Sequence, residues 1–109
     1  MKKIEAVIEP FKVEKIRQHL HTVGVQGLTV SEVQGVGGQS AFYRGVEYEV
    51  ALVPKAKLEL VVPDEHVSTV VAAIEATAKT GTHGDGGIVV SAVEDAFRIR
   101  TGEQGRHAI

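Results

Sequence analysis

With 109 residues, 43% of them hydrophobic and 24% charged, the chain has the composition of one folded domain, which excludes a disordered protein. Twelve Lys and Arg against fourteen Asp and Glu give a net charge of −2, the wrong sign for holding nucleic acid by phosphate neutralisation, whereas a small anion needs only local positive charge. The absence of cysteine excludes disulfides and thiol nucleophiles; with no run of the ~20 apolar residues of a membrane span and no apolar stretch after Met1-Lys2-Lys3, a cytoplasmic protein is expected.

Residues 3–9 alternate, with Ile4, Ala6 and Ile8 on one face and Glu5, Val7 and Glu9 on the other, the period of a half-buried strand that Pro10 ends. Val13, Ile16, Leu20 and Val23 recur at helical spacing, and Gly24 stands where a helix C-terminus favours a positive φ. Residues 28–35, rich in Thr and Val, read as a second strand, and 56–62, with Leu58, Leu60 and Val62 on one side, as a third. Asp64 is placed to N-cap a second helix, whose stripe is Val67, Val70, Val71, Ile74 and Ala78 before Gly81. Residues 88–93 complete the set as a fourth strand.

The order βαββαβ predicts an α+β, ferredoxin-like sandwich, an antiparallel sheet with both helices on one face. The other face is expected to carry Val7, Thr29, Ser31, Val61 and Val89. That set is too apolar for open water and too poor in aromatics for a nucleic-acid platform, so burial against further copies of the same sheet is expected.

Two glycine-rich runs stand out: Gly35-Val36-Gly37-Gly38-Gln39 and Thr80-Gly81-Thr82-His83-Gly84-Asp85-Gly86-Gly87. Bare backbone lets N–H groups approach a ligand closely, and Arg98-Ile99-Arg100, read as a strand, puts two arginines on one face. Together they point to an anion clamp for a polyphosphate or nucleotide. Residues 36–53 form a connection longer than the ~2–5 residues of a usual hairpin loop and are expected to protrude as a functional loop. On the residues alone a blander reading stays open: Asp85-Gly86 is also a turn signal, Arg98 and Arg100 also a solvated face, and Lys55 with Lys57 also the guard of a strand edge. His19 and His21 point in different directions on the first helix, and His66, His83 and His107 lie on separate elements, so no metal site is expected.

Across nearly its whole length the chain resembles the PII signal-transduction family of trimeric nitrogen regulators. The resemblance is carried by Met1-Lys2-Lys3-Ile4-Glu5-Ala6, Pro10-Phe11-Lys12, Gly27-Leu28-Thr29-Val30, Gly35-Val36-Gly37, Tyr43-Arg44-Gly45-Val46-Glu47-Tyr48, Pro54-Lys55-Ala56-Lys57, Thr80-Gly81, Gly84-Asp85-Gly86 and Arg98-Ile99-Arg100-Thr101-Gly102-Glu103. It implies a homotrimer of single domains spanning 1–109, with a partner-docking T-loop at 36–53, a phosphate-wrapping B-loop at 80–87 and a C-loop at 100–109. It also implies a regulator and not an enzyme, acting through a docked target such as a membrane transporter or metabolic enzyme.

The family places ADP or ATP in the cleft between subunits, with the two arginines supplied by the neighbour, giving three equivalent sites per trimer. Carried over by position, the nucleotide site comprises Gly35, Val36, Gly37, Gly38, Gln39, Lys55, Thr82, His83, Gly84, Asp85, Gly86, Gly87, Arg98 and Arg100, with Thr29, Glu59 and Val61 around the adenine. Gln39 and Lys55 match the residues that hold the effector 2-oxoglutarate beside MgATP, and Tyr48 matches the tyrosine that many members present for uridylylation.

Three phosphate-contacting cations usual in the family are missing: an arginine at Gly38 and lysines at Thr82 and Gly87. The long loop is also shorter than the family's. A charge-assisted hydrogen bond contributes about 1.5–3 kcal/mol, so losing three weakens a triphosphate, and ADP or AMP is expected to bind at least as well as ATP. His83, once protonated, stands to restore some of the lost charge at acidic pH. A subset of PII-like proteins is tied to inorganic carbon, which makes bicarbonate the alternative effector and control of carbon uptake or fixation the alternative role. Two readings from other classes are weaker. A phosphate-ester hydrolase has only Asp85 as a carboxylate in its loop, and an RNA-binding module would need aromatics in its central strands, whereas Phe11, Phe42, Tyr43, Tyr48 and Phe97 lie mostly outside them.

Overall fold

The computed structural model describes residues 1–36, 40–43, 45–49, 52–81 and 86–109. Strand β1 (Lys2–Ile8) is followed by a 3-10 turn at Pro10–Lys12 and helix α1 (Val13–Thr22), then by β2 (Thr29–Gly35). A short hairpin, β3 (Ser40–Tyr43) and β4 (Val46–Glu49), precedes β5 (Val53–Val62), a second 3-10 turn at Asp64–His66, α2 (Val67–Ala78) and β6 (Gly87–Ala92). The main sheet is antiparallel throughout, in the order β2–β5–β1–β6. This is the ferredoxin-like α+β arrangement that the element order predicts.

Alternation decides which face is buried. Ile4, Ala6 and Ile8 of β1 and Ala56, Leu58, Leu60 and Val62 of β5 point to one side, where α1 adds Ile16 and Leu20, and α2 adds Val70, Ala73, Ile74 and Ala78. Both helices therefore cover the same face. α1 ends as its glycine predicts: Gly24 takes φ +93° and its N–H donates to His21 C=O, while Val25 N–H donates to Leu20 C=O, the paired bonds of a Schellman ending.

Three local expectations are corrected. Asp64 does not cap α2, which enters through the 3-10 turn at Asp64–His66; its carboxylate instead accepts from the α-amino group of Met1 at 2.8 Å. A free ammonium at the start of β1 is a stronger partner for a carboxylate than a neutral backbone N–H. Arg98-Ile99-Arg100 is not a strand: Phe97 makes one isolated bridge to Gln104, and residues 99–101 turn. Gly102, at φ +73°, donates its N–H to Arg98 C=O, and Arg98 N–H donates to Glu103 C=O, so the turn chemistry of Gly102 outweighs the alternation. The two arginines accordingly share no strand face. Lastly, the connection expected at 36–53 contains the β3–β4 hairpin, closed by a two-residue link in which Gly45 takes φ +79°, and Val53 already belongs to β5. Among the described residues β3 and β4 pair only with each other.

Candidate functional site

Register brings the glycine-rich segments to one edge of the sheet. Ile8 faces Ala56, Val33 faces Lys55, Gly35 faces Val53 and Val7 faces Gly87, so the end of β1, the start of β5, the end of β2 and the start of β6 all lie there. At Gly35 a Cβ would stand 3.4 Å from Cγ of Lys55, which places the lysine stem against bare backbone. The Lys55 side chain is only 10% exposed, and its ammonium is ion-paired with the carboxylate of Glu9. Gly86 takes φ +91°, and a Cβ there would lie 1.7 Å from the carbonyl oxygen of Val7, so backbone meets backbone where the second glycine-rich loop rejoins the sheet. Val36 continues beyond Gly35 and is exposed. Gly37, Gly38, Gln39, Thr82, His83, Gly84 and Asp85 lie outside the described residues.

A second group forms elsewhere. Thr29 and Glu59 are direct cross-strand neighbours, and Val61 faces Lys3. Glu59 is four residues beyond Lys55, about 13 Å along the same strand. Thr29, Glu59, Val61 and Arg98, with Gly27 and Leu28, line a cleft of about 990 Å³ whose lining includes neither Gly35, Lys55, Gly86 nor Gly87. Arg98 stands 3.5 Å from the carboxylate of Glu103, and Arg100 sits in the exposed turn. The described members of the expected set thus fall into two groups, one of glycines and Lys55, the other of Arg98 with Thr29, Glu59 and Val61.

On the open face of the sheet lies a ring of four charges that the sequence reading did not assemble. Glu5 and Glu59 face each other across β1 and β5, a juxtaposition of like charges that two lysines relieve. Lys3 reaches Glu5 at 2.9 Å and Glu59 at 3.4 Å, while Lys57 reaches Glu5 at 3.4 Å and Glu59 at 3.2 Å. Hydrogen bonding to Lys3 and then Lys57 holds the Glu5 carboxyl below its ordinary range, and bonding to Lys57 does the same for Glu59. Bonding to Glu5 raises Lys3, and bonding to Glu59 raises Lys57. The signal for this ring was present in Lys3-x-Glu5 and Lys57-x-Glu59, same-face pairs on strands that become neighbours, but only the register makes it readable. Glu9 was likewise seen only as the end of a strand.

Tyr48 belongs to β4, where its backbone pairs with Ala41. Among the described residues no three His, Cys, Asp or Glu side chains converge as a metal site, and His19 Nδ1 is engaged with Thr77 Oγ1 at 2.8 Å. Among the described residues no helix is long and apolar enough to cross a membrane.

Comparison with known proteins gives one consistent result. The family model of nitrogen regulatory protein P-II matches residues 1–103. Proteins named nitrogen regulatory protein P-II are similar over 100% of both chains, at 51% identity in Rhodospirillum rubrum, 53% in Haemophilus influenzae and 52% in Pasteurella multocida. These alignments span 112 positions against the 109 residues of this chain, so three aligned positions find no counterpart here.

Proposed function

The chain belongs to the nitrogen regulatory protein P-II family, signalling regulators of nitrogen metabolism and not enzymes, and from that premise we propose that it reads adenine nucleotides at the clefts between subunits of a homotrimer. The bound state is passed to a partner protein through the loop at 36–53. Tyr48 is the candidate modification site on that loop.

The observation that supports this reading is that the described residues of the expected set fall into two separate groups. Lys55, nearly withdrawn from solvent beside Gly35, supplies a fixed cation and open backbone suited to a phosphate. Arg98 lines a cleft that does not include Lys55, together with Thr29 and Glu59, which supports a phosphate site at Lys55 completed by the arginine of a neighbouring copy. The open face supports such a neighbour: Val89 is 63% exposed, and Val7 and Val61 are half-buried on the same side. With Lys55, Arg98 and Arg100 as the remaining cations, ADP or AMP binds at least as well as ATP, which would bring Mg²⁺ with it. Gln39 and Lys55 are the residues proposed for an effector anion, 2-oxoglutarate or bicarbonate.

Titration calorimetry with AMP, ADP and MgATP, each repeated with 2-oxoglutarate and with bicarbonate, tests this. Saturable binding with ADP or AMP no weaker than MgATP is expected. A tenfold or greater preference for MgATP would overturn the order, and absence of binding at millimolar nucleotide would overturn the reading.

A further inference from the structure

We infer that Glu9 is a built-in counter-anion of this site: its carboxylate occupies the Lys55 ammonium until an anionic ligand displaces it, and so sets how strongly the site penalises ligand charge. The inference rests on the function proposed above.

Glu9 follows the last residue of β1 and precedes Pro10, and its backbone is fixed in extended geometry with its carbonyl accepting from Lys12 N–H at 3.0 Å. Short Asp, Asn, Ser and Thr side chains are the usual caps at the entry to a helical turn, and the longer Glu is not among them. Glu9 makes no capping bond, and it is turned onto Lys55. The pair sits at the edge where the glycine-rich segments meet: Gly35 lies against the stem of Lys55, and Gly86 lies against the carbonyl of Val7, two residues before Glu9.

A phosphate that takes Lys55 therefore arrives beside a carboxylate already there. Glu5 and Glu59 share their ammonium groups because two lysines bracket them, whereas a phosphate and the Glu9 carboxylate would meet at the one Lys55 ammonium and repel each other, so the incoming charge displaces Glu9. It has an exit, since its side chain is 23% exposed against 10% for Lys55. The work of displacing it falls on ligand charge alone, and a neutral nucleoside does not meet it. Glu9 thus acts as a specificity determinant that favours ligands with few charges.

Replacing the carboxylate with its neutral isostere, Glu9→Gln, removes the competitor and keeps the size. Calorimetric titrations of adenosine, AMP and ADP at fixed ionic strength are expected to show ADP binding about three- to tenfold tighter than in wild type, a smaller gain for AMP, and unchanged adenosine. Equal or weaker ADP binding in the variant, or an equal gain for adenosine, would overturn the inference while leaving the nucleotide-site reading intact. Wild-type protein that retains no adenosine phosphate would overturn that reading and this one together. Should Glu9→Gln fail to fold by circular dichroism, Glu9→Ala is read by the same criteria. A crystal structure with ADP bound and Glu9 still on Lys55 would also overturn the inference.

Discussion

At the scale of single residues, the eight-residue run 80–87 shows how differently its glycines are constrained. Gly86 combines φ +91° with a carbonyl oxygen 1.7 Å from where a Cβ would stand, and that neighbour is backbone of the central strand, unable to yield cheaply. Gly81 also has a positive φ, +83°, but meets open space. Gly86→Ala is therefore expected to lose about 2–4 kcal/mol in a urea unfolding experiment; a loss below about 0.5 kcal/mol would show that the loop re-routes without cost. The sequence shows that the run is rich in glycine, but which glycine is sterically required depends on a residue, Val7, nearly eighty positions away. Lys55 makes the same point: its cationic character was legible, while its pairing with Glu9 depends on the ends of β1 and β5 lying side by side.

At the scale of elements, periodicity was enough to find the four long strands and both helices, because burial of one face enforces it. It failed where a specific contact outweighed the pattern: a long-range one at Asp64, drawn to the Met1 ammonium, and a local one at residues 99–101, folded by the Gly102 turn. The ring across β1 and β5 gives this level a pH dependence. Glu5 and Glu59 are held below the ordinary carboxylate value, so their contribution is fully present above about pH 4.5 and is lost as the pH falls through their lowered folded values. Lys3 and Lys57 are raised, so theirs is present below about pH 10.4 and is lost only as the pH climbs through the raised values. Urea midpoints should accordingly be level, as far as the ring governs them, between about pH 5 and 9 and fall towards pH 3. In Lys57→Met the carboxyls are less depressed, so a smaller fall is expected; an equal or larger fall would remove the ring from the account.

At the scale of the whole molecule, the sheet has one face covered by α1 and α2 and one that carries Val7, Val61 and Val89 around four charges. The ring is neutral in sum, two lysines against two glutamates, so covering it leaves no charge of the set without an opposite partner. A face of this kind suits contact with its own copies. Sedimentation equilibrium is expected to return three times the chain mass of 11.6 kDa, and Val89→Asp, which adds an unpaired charge on the exposed side of β6, should reduce it towards the single-chain value while the far-ultraviolet spectrum stays native. A monomeric wild type would remove the inter-subunit site.

The sequence by itself determined the family, the ferredoxin-like order of elements and the two glycine-rich segments, since these rest on composition, periodicity and motif order, all of which are local along the chain. Tertiary structure decided that Glu9 reaches Lys55, that Glu5 and Glu59 are bracketed by Lys3 and Lys57, and that Arg98 lines a cleft apart from Lys55. Each of those depends on strand register and on the turn at 99–101, and register couples residues about fifty positions apart through backbone hydrogen bonds that no local pattern encodes.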